Sequence, residues 1–216
     1  MNIAENILKH SLQNVYFLTG TACAGKTTMA RELSKKYGFV HFNDNWNEEN
    51  YKIWESIISE KYQPKTYERM KLDNEQYFSR SVEECLQDNK ILEYIQFSII
   101  ELIKLSVSKV VIADIWAPMD LIFEISDYNR VACLLAPGTL IVRDYYDRDD
   151  HKDYTNAIKS LKDPQKAFAI QNELFIRGAK EFEEEAKRLK LFTIMRTDES
   201  TVHGHLKLLE EHFGFL

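Results

Sequence analysis

The sequence predicts an α/β protein built on a parallel sheet, and three observations carry that expectation. Five short apolar runs are separated by stretches whose apolar residues recur at helical spacing. The runs are mostly continuous rather than alternating, as strands covered on both faces require. One of them leads directly into a glycine-bearing turn and then an amphipathic helix, the order of a βα unit. The 216 residues suit one domain, 1–216, with 44% hydrophobic residues for a core and 29% charged residues for a solvated surface.

The elements follow in order. After a polar N-terminal segment with Ile3, Ile7 and Leu12 near helical spacing, the first strand is expected over Val15 to Gly20 (VYFLTG). From Lys26, the apolar stripe Met29, Ala30 and Leu33 marks a helix that stops at Gly38, a residue suited to a left-handed C′ position. The second strand is expected over Phe39 to Asp44 (FVHFND). Residues 45–108 carry no strand signal. Ile53, Trp54, Ile57 and Ile58 mark one helix there, and Tyr77, Phe78, Val82, Cys85 and Leu86 another. The segment Ile91–Leu105 is apolar on most sides and is expected to be buried. Strands are then expected over Lys109 to Ile115, Arg130 to Ala136 and Leu191 to Thr197. Asp163-Pro164 reads as the N-cap and first residue of a long helix, with Phe168, Phe175, Phe182, Ala186 and Leu189 roughly on one face. Asp198 is expected to cap a last helix carrying Val202, Leu206, Leu209 and Phe213.

Composition narrows the function classes. A net charge of −6 argues against general affinity for nucleic acid or anionic membranes. Cys23, Cys85 and Cys133 are far apart and odd in number, which excludes a disulfide framework or a cysteine zinc site. No continuous apolar run marks a signal peptide. The stretch ILEYIQFSIIELIKL is broken by Glu93, Gln96, Glu101 and Lys104, so no membrane span is expected and a cytoplasmic protein is. His203 and His205 lack acidic or cysteine neighbours for a metal site, and no Ser/His/Asp pattern supports a hydrolase.

The chemistry concentrates in GTACAGKTT. Gly20 and Gly25, followed by Lys26 and Thr27, fit G-x-x-x-x-G-K-[ST] at every fixed position. Glycines allow a backbone path in which successive N–H groups of Gly20, Thr21, Ala22, Cys23, Ala24, Gly25, Lys26, Thr27 and Thr28 turn toward phosphate oxygens. Lys26 supplies an ammonium for the β/γ-phosphates, Thr27 a hydroxyl for Mg²⁺, and the helix its positive end. Cys23 stands at a variable position, either a small residue that fits the turn or a thiol at a helix start. Ligands of open parallel sheets bind beyond the carboxyl ends of the strands, where Asp44 and Asp114 fall. Asp114 has the form of a carboxylate that holds Mg²⁺ through water. Asp44 is placed to orient an acceptor or take its proton. Each is alternatively a cap or loop residue.

With these residues, LTGTACAGKTTMARELSKKYGFVHFND resembles the opening of the P-loop small-molecule and nucleoside-monophosphate kinases. That group includes shikimate, gluconate, cytidylate and adenylate kinases and chloramphenicol phosphotransferase. The resemblance implies a three-layer P-loop fold with a five-stranded parallel sheet in the order 2-3-1-4-5. It also implies a helical acceptor-binding insertion after strand 2, about 46–106, and a lid after strand 4, about 137–155. Arginines of such a lid neutralise charge on the transferring phosphate, and Arg143 and Arg148 match that role. Their spacing, R-x-x-x-x-R, departs from the commoner R-x-x-x-R. Asp144, Asp147, Asp149 and Asp150 crowd them, so an exposed salt-bridge network is the alternative. Arg196 and Thr197 fall where the group lines its nucleobase, although Arg196 is equally read as solvent-facing.

The acceptor is not named by these residues. ADIWAPMD keeps Asp114 and Pro118 but lacks the glycine and arginine of D-G-x-P-R, and Arg69 and Arg80 are either a phosphate clamp or surface residues. A neutral or cationic hydroxyl compound is thus no less expected than a monophosphate. Trp46, Tyr51, Trp54, Tyr62, Tyr67, Tyr77, Phe78, Tyr94, Phe97 and Trp116 form an acceptor wall or simply core. The expected function is ATP- and Mg²⁺-dependent phosphoryl transfer to a hydroxyl of a small molecule. The alternatives are an NTPase switch without an acceptor and a nucleoside or nucleotide kinase.

Overall fold

Strands β1 (Val15–Gly20), β2 (Val40–Asn43), β3 (Val111–Asp114), β4 (Val131–Leu135) and β5 (Thr193–Met195) pair in parallel in the order β2-β3-β1-β4-β5. All five expected strands are present: β1 has the expected bounds, β2 starts one residue later than expected, and β3, β4 and β5 are shorter at both ends. The computed structural model describes residues 4–43, 48–88, 93 and 95–216, with 48–51 in backbone only.

Alternation along the strands sends neighbouring side chains to opposite layers. Val15 and Phe17 of β1, Val111 and Ala113 of β3, and Val131, Cys133 and Leu135 of β4 share one core. There they meet α1 (Glu5–Ser11), α7 (Ile95–Ser106) and α8 (Met119–Ile125). Leu18, Ile112, Ala132, Leu134 and Ile194 face the other layer, formed by α2 (Lys26–Tyr37), α9 (Gly138–Asp144) and α12 (Val202–Phe213). The result is the expected α/β/α sandwich.

The long connection after β2 is helical: α3 (Glu48–Ile57), α4 (Pro64–Met70), α5 (Asn74–Phe78) and α6 (Val82–Asp88) precede α7. A capping box at Asp73 and Gln76 starts α5. Phe78 packs edge-on against Tyr154 of α10 (Lys152–Lys159) at 5.1 Å, in a cluster with Ile158 and Leu161. Insertion and lid therefore share a core. Trp54 stacks on Phe97 at 4.4 Å and is buried, while Tyr62 is exposed. Trp46 and Tyr94 lie outside the described residues.

Asp163 caps α11 (Pro164–Arg188), with Pro164 at its first position as expected. Two other expectations need correction, in α7 and at the last helix. Phe168, Phe175 and Phe182 of α11 pack into three different clusters. A seven-residue repeat drifts by about 20° per step on a straight helix, and α11 is long enough to pass from the lid cluster to the sheet. In α7, Ile95, Ser98, Leu102 and Ser106 form the buried stripe, whereas Ile100 is 51% exposed. The last helix is capped by Thr201, whose Oγ1 accepts from Gly204 N at 3.1 Å; Asp198 is drawn instead to Arg143.

One glycine is fixed by its neighbour. Gly20 adopts φ +125°, and a Cβ there would collide with the backbone carbonyl of Leu134 on β4. Gly20→Ala is expected to cost about 3 kcal/mol or more. That corresponds to a fall in Tm of about 6–12 °C by calorimetry. A fall below about 2 °C would contradict this packing.

Candidate nucleotide-binding site

The loop between β1 and α2 bends through three positive φ angles, at Gly20 (+125°), Cys23 (+56°) and Gly25 (+89°). Gly25 is the N-cap of α2, and its left-handed backbone meets no neighbour. Cys23 occupies the left-handed region as a non-glycine, with its side chain buried. The loop is tied to β4 and the residue after it: Thr21 N donates to Leu134 O at 3.0 Å, and Thr21 Oγ1 accepts from Ala136 N at 2.7 Å. Ala22 and Ala24 pack against the α2-side core.

Lys26 Nζ donates back into the loop, to Thr21 O at 2.8 Å and Gly20 O at 3.4 Å. Thr27 Oγ1 donates to Asp114 Oδ2 at 2.6 Å, joining the first turn of α2 to the end of β3. Asp114 is 4% exposed. Thr28, next along α2, is exposed. Asp44 lies outside the described residues.

The register explains why Asp114 reaches Thr27. Leu18 stands opposite Asp114, and β1 continues through Thr19 to Gly20. Asp114 shares parity with Ile112, which faces the α2 layer. His41 pairs with Ile112 and so points to the same side, where its Nε2 lies 3.8 Å from Asp114 Oδ2. Sequence reading passed over His41. The signal was available in β2, where Val40 and Phe42 pack into the opposite core.

Three arginines converge beside the loop. Arg196 Nη1 donates to the Cys23 carbonyl, and its Nη2 lies 3.1 Å from Asp144 Oδ2. Arg196 is thus held at the loop and does not simply face solvent. Arg143 Nε meets Asp144 Oδ1 at 2.7 Å, and its Nη2 meets Asp198 Oδ1 at 2.8 Å. Arg148 pairs with Asp150 at 2.5 Å and lies close enough to the Cys23 thiol to interact with it electrostatically. The acidic lid is therefore a salt-bridge network, with Arg148 beside the loop and Arg143 joined to the loop-bound Arg196 through Asp144. Arg69 and Arg80 of the insertion both pair with Asp88.

Electrostatics follow from these partners. Arg143 holds the Asp144 carboxyl below its usual range, chiefly by hydrogen bonding, and does the same to Asp198. Arg148 lowers Asp150 in the same way. Burial raises the Cys23 thiol, against the opposing pull of Arg148. A groove of about 730 Å³ lies between α8 and α11, with Trp116, two residues past Asp114, in its lining. Met119 and Phe182 line it, with Glu124, Glu181 and Glu184 among its carboxylates.

A phosphate loop between β1 and α2, on a parallel sheet of order 2-3-1-4-5, defines the class: the chain has a P-loop kinase-type fold. A family model described as an AAA domain matches residues 17–119. Among solved structures, the chain is similar to shikimate kinase from Acinetobacter baumannii in complex with shikimate, at 15% identity and TM-score 0.48, over 93% of each chain. It is similar to dephospho-CoA kinase from Campylobacter jejuni at 18% identity and TM-score 0.42, over 94% of this chain and 99% of that one. No curated protein matches the sequence. Among the described residues, no helix is long and apolar enough to cross a membrane.

Two outcomes are expected. Because the folded-state carboxyl of Asp144 is lowered, its contribution to stability is full above the unfolded value of about 3.9 and fades as pH falls through the folded one. The Tm difference between wild type and Asp144→Asn should stay constant from about pH 8 to 5 and close below about pH 4. A difference that changes mainly between pH 8 and 5 would contradict the pairing. Iodoacetamide at neutral pH, read by mass spectrometry, should leave Cys23 unmodified in the native protein while labelling all three cysteines after unfolding. Rapid native labelling of Cys23 would show an activated thiol instead.

Proposed function

We propose that the protein is an ATP- and Mg²⁺-dependent kinase of a small hydroxyl compound that carries no phosphate of its own. The observation that supports this most is the meeting of Lys26, Thr27 and Asp114 at the carboxyl edge of the sheet, where α2 presents its N-terminus.

The residues fit the cation. The Thr27 hydroxyl and the Asp114 carboxylate are adjacent, hard oxygen donors of the kind Mg²⁺ prefers. Bound there, Mg²⁺ would neutralise charge on the nucleotide's phosphate oxygens. Gly20 to Thr28 would take the phosphates on backbone N–H groups. Lys26 would exchange the loop carbonyls for β/γ-phosphate oxygens, since an ammonium forms stronger bonds to anions than to neutral carbonyls. In the reaction, the acceptor oxygen bonds the γ-phosphorus and the bond to the β–γ bridging oxygen breaks, releasing ADP. The hydroxyl proton passes to Asp44, assigned this role by its place directly after β2. Arg148 and Arg143 would stabilise the charge on the transferring group, and Arg196 would border the nucleobase.

The acceptor class follows from charge. The groove that Trp116 lines carries five carboxylates against one cation, Arg188, which pairs with Asp120 and Glu185, and Arg69 and Arg80 are engaged with Asp88. Both features favour a neutral or cationic acceptor over a phosphorylated one.

A screen of hydroxyl metabolites should reveal ADP release that depends on one acceptor class. Lys26→Ala should lower that rate at least about 100-fold, with Tm changed by no more than about 2 °C. Slow ADP release that no acceptor accelerates, or full turnover by Lys26→Ala, would overturn the proposal.

A further inference from the structure

Among the described residues, the Asp114 carboxylate proposed to anchor the cation is held by one side-chain hydrogen bond. Asp114 Oδ2 accepts from Thr27 Oγ1 at 2.6 Å. On its other side stands His41, carried on β2 by the register that places His41 beside Ile112 and on the α2 face. Its Nε2 is 3.8 Å from the same Oδ2, beyond hydrogen-bonding reach. That Nε2 is buried and has no hydrogen-bond partner among the described residues. Folded proteins rarely leave such an atom unsatisfied without a use for it.

Each carboxylate oxygen has two lone pairs, so Oδ2 can take a second donor while keeping Thr27. We propose that His41 is a positioning residue for Asp114: when a metal–nucleotide complex binds, the imidazole Nε2–H closes onto Oδ2. The carboxylate is then gripped from α2 by Thr27 and from β2 by His41. With one hydrogen bond a carboxylate can swivel about its Cβ–Cγ bond. With two, from different elements, its remaining lone pairs are aimed. Outer groups that orient a metal-binding carboxylate act on metal affinity in this way. The inference rests on the reading of Thr27 and Asp114 as a metal–nucleotide site.

The test uses the full chain with ADP and either Mg²⁺ or Mn²⁺. In a sample with ¹⁵N-labelled histidine, addition of Mg²⁺·ADP should produce a downfield, slowly exchanging ring N–H resonance. It should be absent from the free protein and from His41→Phe. Electron paramagnetic resonance titration of Mn²⁺ with ADP should show affinity reduced about 10-fold in His41→Phe. His41→Gln, whose amide places a donor near the same point, should recover most of that loss. Affinity for ADP without metal should be equal in all three proteins. If wild type binds Mn²⁺·ADP, but His41→Phe binds it equally and no resonance appears, His41 is only a packing residue and the inference falls alone. If wild type fails to bind Mn²⁺·ADP, the metal–nucleotide reading falls with it.

Discussion

The register of β2, β3 and β1 is the constraint on which the site depends. Leu18 stands opposite Asp114 and His41 opposite Ile112, which sets Asp114 and His41 on the layer where α2 begins. A slip of one residue would turn Asp114 into the opposite core and leave Thr27 without its partner. That slip is costly because every strand position of β3 and β4 is buried, with apolar side chains filling both faces. The core that stabilises the sheet therefore also fixes the alignment of the polar groups at its edge.

The loop itself is held by backbone geometry. Gly20 lies against Leu134, and Thr21 bonds Leu134 and Ala136, so the loop path is set by β4 as well as by β1 and α2. Beside it, Arg143, Arg148 and Arg196 are arranged by Asp144, Asp150 and Asp198. Exposed ion pairs of this kind contribute little to stability. Their consequence is geometric: Arg196 is held on the Cys23 carbonyl, and Arg148 is held near enough to the Cys23 thiol to act on it electrostatically.

The strands and the phosphate loop were legible because continuous apolar runs and fixed glycine spacing depend on local rules. Gly38 and Asp163-Pro164 were legible for the same reason, since each acts within one turn of its helix. What escaped depended on tertiary partners. Asp198 looks like a helix cap, yet Arg143, 55 residues away in sequence, takes it and Thr201 caps instead. Ile100 belongs to an apolar segment, but only one stripe of α7 meets the sheet. The three phenylalanines of α11 share a spacing, not a destination. His41 is the instructive omission. Alternation in β2 sets it opposite to Val40 and Phe42, but only the pairing order of the strands puts it next to Asp114.

The central claim is that Thr27 and Asp114 form a site where nucleotide and cation bind together. Calorimetric titration with a non-hydrolysable ATP analogue, with Mg²⁺ and with EDTA, tests it most directly in wild type and Asp114→Asn. The account predicts that Mg²⁺ tightens binding in wild type, and that Asp114→Asn loses this gain while keeping the metal-free affinity. Equal affinity with and without Mg²⁺ in wild type, or no binding at all, would contradict it.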